Sequence, residues 1–551
     1  MTLRVFLPLL LAAGSVFGQV TPDRLLNANK EPQNWLTYGG GYSSQRYSPL
    51  ANLTPLNVKG LTLKWVYHPH YMDKMEATPI VVDGILYTVQ NSEVVALDAE
   101  SGRSFWTFHY TVPPESNQYL MVVKGLAIAG DTLFWATYDG HLIAIDAKTG
   151  RQIWNKTLVD WKKGYQLNVA PLVVKDKVIL GPATNEEGAN CWVAAYDVKT
   201  GNEIWRFYTA PTSADQPEAK TWAGESWKHG GSPIWVTGSY DPETNLTYWG
   251  TGNPNPGWNG DPRPGDNLYS DSVVALDADT GKLKWYYQFT PHDEFDWDSV
   301  QVPILANIEF NGKPTKAMLW ANRNGFFYVL DRTSGKFLLG KAFVKQNWNV
   351  GFDEAGRPIK AATFVSSTEG TYIEPGVQGG TNWYSPSFSP RTGLFYVSAW
   401  ENYSATSAKK DPGPWKEGGK YTGNGPRRPA PNAGGRGAAG AAGRGAALTF
   451  RKESEGYGSV RAIDPRTGER KWDFKMVSWT ESGVLTTGSD LLFGGGMEGN
   501  FFALDARTGS PLWNVGLGGT VSSGPITWSV NGKQFVGVCA GSAFYAFGLP
   551  D

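Results

Sequence analysis

The segment His292-Asp293-Glu294-Phe295-Asp296-Trp297-Asp298 places four carboxylates within seven residues. A solvated acidic loop rarely interleaves carboxylates with Phe and Trp. Phe295 and Trp297 should be buried, and some of the carboxylates with them. A buried carboxylate needs a partner, and a metal ion is a natural one. His292 reads as hydrogen-bonding support for this loop rather than as a base. Two other groups could join a cation site. Glu186 stands in Gly181-Pro-Ala-Thr-Asn-Glu-Glu-Gly188, where by itself it reads as a loop acid, with Glu187 as the alternative register. Asn253 stands in Gly250-Thr-Gly-Asn-Pro254, by itself a good turn. His68 and His70 form a His-x-His pair that a strand would place on one face; they read as solvated or capping side chains.

The elements that must position these residues are strands. The 551-residue chain carries 66 Gly and 35 Pro beside 24 Trp, 25 Tyr and 25 Phe, a composition of tight turns and strands. Its formal charge of −1 offers no basic excess for nucleic acid. Met1 to Gly18 resembles a secretory signal peptide, with Arg4 ahead of an apolar stretch from Val5 to Phe17 that is short for a membrane span. The expectation is an exported, periplasmic protein without an integral membrane segment. Cys191 and Cys539 fall in distant parts of the chain and read as free buried thiols. No Cys-x-x-Cys-His is present, so no covalent haem is expected.

One phrase recurs: Ala96-Leu-Asp-Ala-Glu-Ser-Gly102 with Trp106, Ala144-Ile-Asp-Ala-Lys-Thr-Gly150 with Trp154, and Ala195-Tyr-Asp-Val-Lys-Thr-Gly201 with Trp205. It returns before Trp285, Trp472 and Trp513, and as Val329-Leu-Asp-Arg-Thr-Ser-Gly335 without its Trp. Each copy reads as strand, turn, strand, with the Asp bonding turn amides and the Gly supplying positive φ. About four strands per unit give an all-β, eight-bladed β-propeller. The eighth blade is assembled from both ends: Leu61-Thr-Leu-Lys-Trp65 completes the C-terminal strands and removes the free edges. The mature chain, 19–551, reads as this single domain. Residues 409–445, rich in Gly, Ala, Pro and Arg, read as a flexible insertion within the sixth blade.

These repeats and several phrases resemble the quinoprotein alcohol dehydrogenases of the methanol/ethanol dehydrogenase family. The phrases are Ala170-Pro-Leu-Val-Val-Lys-Asp-Lys-Val-Ile179, Gly250-Thr-Gly-Asn-Pro254, Arg263-Pro-Gly-Asp-Asn267, Thr290-Pro-His-Asp-Glu294 and Asn322-Arg-Asn-Gly325. The resemblance runs from about Trp35 to Leu549. It implies an eight-bladed propeller with pyrroloquinoline quinone (PQQ) and one metal ion. It implies Glu186, Asn253 and Asp296 as metal ligands, Asp296 also as catalytic base, and Arg323 as the group that hydrogen-bonds the reactive quinone oxygens. Trp235 matches the floor under the quinone. Glu76, Lys124, Asn168, Thr184, Asn382 and Trp479 are the further implied cofactor contacts, with Lys124 where the family usually has Arg and Asn168 where it has Thr.

Asp298 is an added carboxylate. The resemblance places Asp there in lanthanide-using members, and a small uncharged residue in calcium-using ones, so a lanthanide is favoured over calcium as the ion of this centre. Hard cations take oxygen ligands, and a trivalent ion rewards the extra charge. The chain departs from the family at Gln118-Tyr119, where an adjacent-cysteine disulfide would roof the quinone; Tyr119 could stack there instead. Trp258 resembles a pocket aromatic and could equally be a surface plug. The implied reaction is oxidation of a small alcohol or polyol, with a soluble cytochrome c as electron acceptor. A homodimer stays open. The alternatives are a quinoprotein sugar or polyol dehydrogenase and a non-catalytic propeller scaffold of the cell envelope.

Overall fold

In the computed structural model, described for residues 19–70, 74–116, 122–184, 186–425, 450–451 and 456–550, eight blade sheets follow one another along the chain, seven of them four-stranded and antiparallel, while blade 7 gains a fifth, parallel strand, Tyr47–Ser48, beside Leu485–Thr487. Blade 1 runs Ile80–Val82, Ile85–Gln90, Glu93–Asp98 and Ser104–His109. Its inner strands are buried along their length, while its outermost strand is exposed or half-buried throughout. Blades 2 to 7 repeat the plan. Blade 8 pairs Thr62–Tyr67 with Ala543–Gly548, in register Thr62 opposite Gly548 and Tyr67 opposite Phe544. The ring therefore closes on strands from both ends of the chain.

The repeated phrase does what its residues dictate. Asp146 Oδ1 accepts from the amides of Lys148 and Thr149 at 3.1 and 2.8 Å, and Gly150 has φ 70°. The glycine is also required by its neighbour. A Cβ on Gly150 would lie 2.6 Å from the ring of Trp106 in the preceding blade, whose Nε1 donates to Ala147 O at 3.1 Å. Trp65, Trp154, Trp205, Trp285 and Trp472 face the next blade's glycine in the same way. Blade 5 lacks the Trp, and Leu339 and Lys341 fill that space against Gly468. Trp513 has no phrase glycine to meet in the closing blade and packs edge-on against Phe547, ring centroids 5.4 Å apart.

The chain enters each inner strand from the same face on which it crosses from second to third strand. The loops before the inner strands thus share a rim with the loops between second and third strands. Glu76, Lys124, Asn168, Trp235, Asp296, Asp298, Asn382 and Trp479 lie in the first kind of loop; Glu186, Asn253 and Arg323 lie in the second. The topology delivers every one of them to one face of the ring.

The insertion leaves blade 6 between Leu394–Glu401 and Tyr457–Asp464. Its first part, 409–425, is an ordered strap rather than a loose excursion, because its aromatic and basic residues find partners on blades 3 and 4 (below). The Gly/Ala/Arg-rich stretch at 426–445 lies outside the described residues, as do the leader 1–18 and the Gln118-Tyr119 pair. Cys191 and Cys539 are free and buried, as expected. No helix among the described residues is long and apolar enough to cross a membrane.

Candidate active site

The acidic run divides its labour. Asp293 folds the loop, its two oxygens accepting from the amides of Phe295 at 3.1 Å and Trp297 at 2.9 Å. Phe295 and Trp297 are buried, and Trp297 Nε1 donates to Gly376 O at 3.0 Å. His292 Nδ1 lies 2.9 Å from Gly265 O, a supporting contact at the loop's outer edge. Asp296 stands at φ 61°, in the left-handed region, which aspartate enters more readily than most side chains. Glu186 has the same feature at φ 70°.

Six of the candidates join through hydrogen bonds. Asn253 Nδ2 lies 3.2 and 3.3 Å from the two oxygens of Glu186. The amide of Asn253 donates to Asp298 Oδ1 at 2.6 Å. Asp298 Oδ2 accepts from Arg323 Nη1 at 2.8 Å and Trp235 Nε1 at 3.2 Å. Arg323 Nη2 reaches Asp296 Oδ2 at 3.4 Å. Asp298 thus points inward and pairs with a base, and its Oδ1 keeps an open lone-pair direction. At 186–187, Glu186 faces Asn253 while Glu187 accepts from Lys420 Nζ at 2.8 Å.

Charge is unbalanced here. Glu186, Asp271, Asp293, Asp296 and Asp298 face two buried guanidiniums, Arg263 and Arg323. Burial, then the Asp298 charge, pushes Glu186 up to about 7. Burial likewise raises Asp296 well above the carboxylate range, with Asp298 and Glu186 adding to it. Asp271 is the extreme case: it is fully buried, at φ 47°, and neither carboxylate oxygen has a hydrogen-bond partner.

The expected cofactor contacts line the same mouth. Trp235 and Trp479 are only partly buried, so each leaves ring surface uncovered. Arg323 Nε and Asn168 Oδ1 are buried polar atoms without a partner. Lys124 is spoken for: its Nζ pairs with Glu76 and sits 3.3 Å from the ring centroid of Trp383. Glu76 also meets Lys74 at 2.9 Å, and although burial opposes it, the two lysines hold its carboxyl below its ordinary value. Asn382 is buried, its Nδ2 donating to Gln378 O at 3.1 Å. Thr184 lies against the buried thiol of Cys191.

Residues 35–341 and 358–536 match the glucose/ethanol/alcohol dehydrogenase β-propeller domain, a PQQ family. The quinoprotein alcohol dehydrogenase PedH of Pseudomonas putida is 37% identical over 560 residues, covering 97% of this chain and 90% of PedH. It belongs to the quinoprotein alcohol dehydrogenase family. The quinohemoprotein alcohol dehydrogenase of Comamonas testosteroni is 37% identical over 537 residues, 94% of this chain and 73% of that protein. Among solved structures, the quinohemoprotein alcohol dehydrogenase ADHIIG of Pseudomonas putida matches with TM-score 0.87 at 34% identity, covering 97% of this chain and 83% of that one. A europium-containing methanol dehydrogenase matches with TM-score 0.86 at 30% identity, covering 96% and 100%.

PQQ and a metal ion are the cofactors of quinoprotein alcohol dehydrogenases, and the residues here fit both. For the ion, the donors are carboxylate and amide oxygens, and the carboxylates outnumber the guanidiniums. A Cβ on Gly257 would lie 2.7 Å from both Asn253 Nδ2 and Glu186 Oε2, so the backbone is kept bare where the ligand set converges. For the quinone, the uncovered Trp235 and Trp479 rings offer stacking surface, and Arg323 Nε is a donor without an acceptor.

Several members of this quinoprotein site were missed in the sequence. Asn255 Nδ2 donates to Glu186 Oε2 at 2.7 Å; the doubled Asn-Pro of residues 253–256 was the available signal. Arg263 donates to Pro256 O, Asn267 Oδ1 and Asp293 O, tying the Asn253 loop to the acidic run. Lys74, Glu481 and Trp383 were also missed: Lys74 pairs with both Glu76 and Glu481, and the ring of Trp383 lies under Lys124. The strap 409–425 also belongs here. Trp415 stacks on His229 at 3.9 Å and 15°, and its Nε1 donates to Glu187 O at 2.8 Å. The amide of Tyr421 donates to Glu186 O at 2.7 Å, and that of Trp258 to Thr422 O at 2.8 Å. Trp258 is buried against this strap, so it is not a surface plug.

Proposed function

We propose that the protein oxidises a small alcohol to the aldehyde at this site, with Asp296 as base and a cation held by Glu186, Asn253, Asp296 and Asp298. The observation that carries the reading is the hydrogen-bonded path from Glu186 through Asn253, Asp298 and Arg323 to Asp296. When bound, PQQ with its metal ion supplies an electron-pair acceptor polarised by a Lewis acid. Asp296 stands ready to take the hydroxyl proton: its side chain is 18% exposed, against 8% for Asp298, so substrate can reach it. Its basicity is tunable because Asp298 and Glu186 repel its charge; with those two neutralised by the ion they hold, Asp296 ionises more readily. Arg323 is aligned by Asp298 Oδ2 and Val377 O, leaving Nε to donate toward developing negative charge. Glu76, Lys124, Asn168, Thr184, Asn382, Trp235 and Trp479 are the proposed contacts of the quinone.

The ion we propose is a lanthanide. Asp298 Oδ1 adds a fourth oxygen donor and a third carboxylate, which suits a trivalent cation, and the europium-containing structural relative lends support. Export through the leader to the periplasm and delivery of electrons to an external cytochrome c complete the proposal; no haem-attachment motif is present in the chain.

Reconstitution with PQQ and either Ca²⁺ or La³⁺, followed by a dye-linked screen of alcohols, aldehydes and sugars, tests it. Asp296→Asn should abolish turnover while PQQ still binds; retained turnover refutes the base assignment. Asp298→Ala should lose activity with La³⁺ and keep it with Ca²⁺. Equal loss with both ions would mean that Asp298 acts only by orienting Arg323.

A further inference from the structure

A second cluster of ligating side chains lies on the same face, at its rim. Glu93 opens the third strand of blade 1, and its register partner on the outer strand is His109. His70 follows the closing strand Thr62–Tyr67 of blade 8. The ring closure thus brings a histidine from the N-terminal strand's exit to a carboxylate and a second histidine of blade 1. His68, two residues earlier, is exposed and takes no part.

Glu93 is the fixed member. Its side chain is 1% exposed, while those of His70 and His109 are 70% and 56% exposed. Glu93 Oε1 accepts from Tyr67 Oη at 2.8 Å and from the amide of His70 at 3.1 Å. Oε2 faces the two imidazoles: His70 Nδ1 at 2.8 Å and His109 Nδ1 at 3.8 Å, the rings 5.3 Å apart and nearly perpendicular. No lysine or arginine among the described residues pairs with Glu93. Only here, among the described residues, do three candidate ligating atoms lie within 4.8 Å of one another. A buried carboxylate that meets two imidazoles and no lysine or arginine has room for a cation beside it.

We propose that His70, Glu93 and His109 form a second metal site, for a divalent ion of borderline softness such as Zn²⁺ or Cu²⁺. Tetrahedral coordination with bonds of about 2.0–2.2 Å separates neighbouring ligand atoms by roughly 3.3–3.5 Å. That spacing falls between the two contacts seen, 2.8 and 3.8 Å. The required shift is small, and both rings are free to make it because they stand in solvent. Tyr67 and the His70 amide hold the carboxylate from behind, the second layer of support that metal-ligating carboxylates ordinarily have. Two imidazoles and one carboxylate select Zn²⁺ or Cu²⁺, whereas the all-oxygen set around Asp298 selects hard cations. The two sites therefore load independently. The fourth position faces solvent, open to water or to a side chain of another molecule. Since one ligand comes from blade 8 and two from blade 1, the ion would also fasten the seam of the ring.

The test uses the holoenzyme, already loaded with PQQ and its hard cation, at about pH 7.5, because metal binding to imidazole and carboxylate competes with protons. Titration with Zn²⁺ should show one saturable equivalent, and one equivalent of Cu²⁺ should give an electron paramagnetic resonance spectrum with coupling to two imidazole nitrogens. His109→Gln, at an exposed position that should not disturb folding, should weaken Zn²⁺ binding by about 10–100-fold and remove one nitrogen coupling. His68→Gln should change neither. Absence of saturable binding, binding that His109→Gln and His70→Gln leave intact, or a copper spectrum without two nitrogen couplings would each overturn the proposal. In that outcome Glu93 is simply a hydrogen-bond partner of Tyr67 and His70.

Discussion

Asp296, Asp298 and Glu186 are carboxylates held together before any ion arrives, and that conflict has a measurable consequence. Their raised proton affinities mean that the folded apoprotein holds protons that the unfolded chain releases. For Glu186 the ordinary value is 4.5 and the folded value about 7. Below about 4.5 the group is protonated in both states, and the stability it lends is fully present. As pH rises through about 7 that contribution is lost. The apoprotein should therefore melt at a lower temperature at pH 8 than at pH 5, while the metal-loaded protein should not follow that fall. The same protons must leave when an ion binds, so affinity for the hard cation should rise with pH and level off above about 7. Calorimetry in buffers of different ionisation enthalpy, which counts released protons, checks the sign. An affinity that falls with pH would show that the carboxylates are not the ligands.

At the scale of elements, the Trp–Gly contact is the joint of the ring. Trp106 lies across Gly150, and similar pairs join most blades. Replacing Trp106 by Ala removes a partly buried indole and its bond to Ala147 O, and should cost about 3 kcal/mol. Gly150→Ala should cost about 1–3 kcal/mol, because the added carbon must displace the indole and because φ is 70°. Denaturant midpoints of the two variants check this, and a double variant less destabilised than the sum would show that both act on one contact.

The parts of these joints were legible in the sequence because Asp, Gly and Trp recur at fixed spacing within each strand-turn-strand unit, although each contact joins the Trp of one unit to the Gly of the next. The acidic run was legible for a similar reason, since alternation of Asp with Phe and Trp reports burial directly. What could not be read was anything set by where one blade's loop meets another's. Arg263 bonding Asp293 O is such a case, as is Asp271 without partners beside the ligand set. The strap was misjudged for the opposite reason. Its Gly and Pro content signals looseness, but Trp415, Lys420 and Tyr421 within it are enough to bind it down on blades 3 and 4.

At the scale of the whole molecule, the site exists only when the ring is complete, since its groups come from seven blade junctions. The closing sheet depends on Thr62–Tyr67 pairing with Ala543–Gly548. A chain beginning after Tyr67 would leave that last strand with an open edge. Such a chain should aggregate and fail to bind PQQ, and a peptide spanning residues 57–70 added in trans should restore monodisperse protein. Size-exclusion chromatography with and without the peptide checks this; a monodisperse shortened chain would show that the closing strand is dispensable.

That closing strand is also the first long strand synthesised, after only the two-residue Tyr47–Ser48, and its partner is the last strand made. Between the making of Tyr67 and Phe544 lies an interval of roughly 25–95 s at ordinary translation rates, during which Thr62–Tyr67 is an unpaired ribbon. Leu63 and Val66 remain half-exposed even in the finished protein, so in the nascent chain they are open to any sticky neighbour. Lys64, standing between them, is the one charge on the ribbon and serves as its gatekeeper against premature self-association. The architecture that leaves only short outer edges in the mature molecule thus asks the young chain to carry one more, the unpaired ribbon Thr62–Tyr67, for nearly its whole birth.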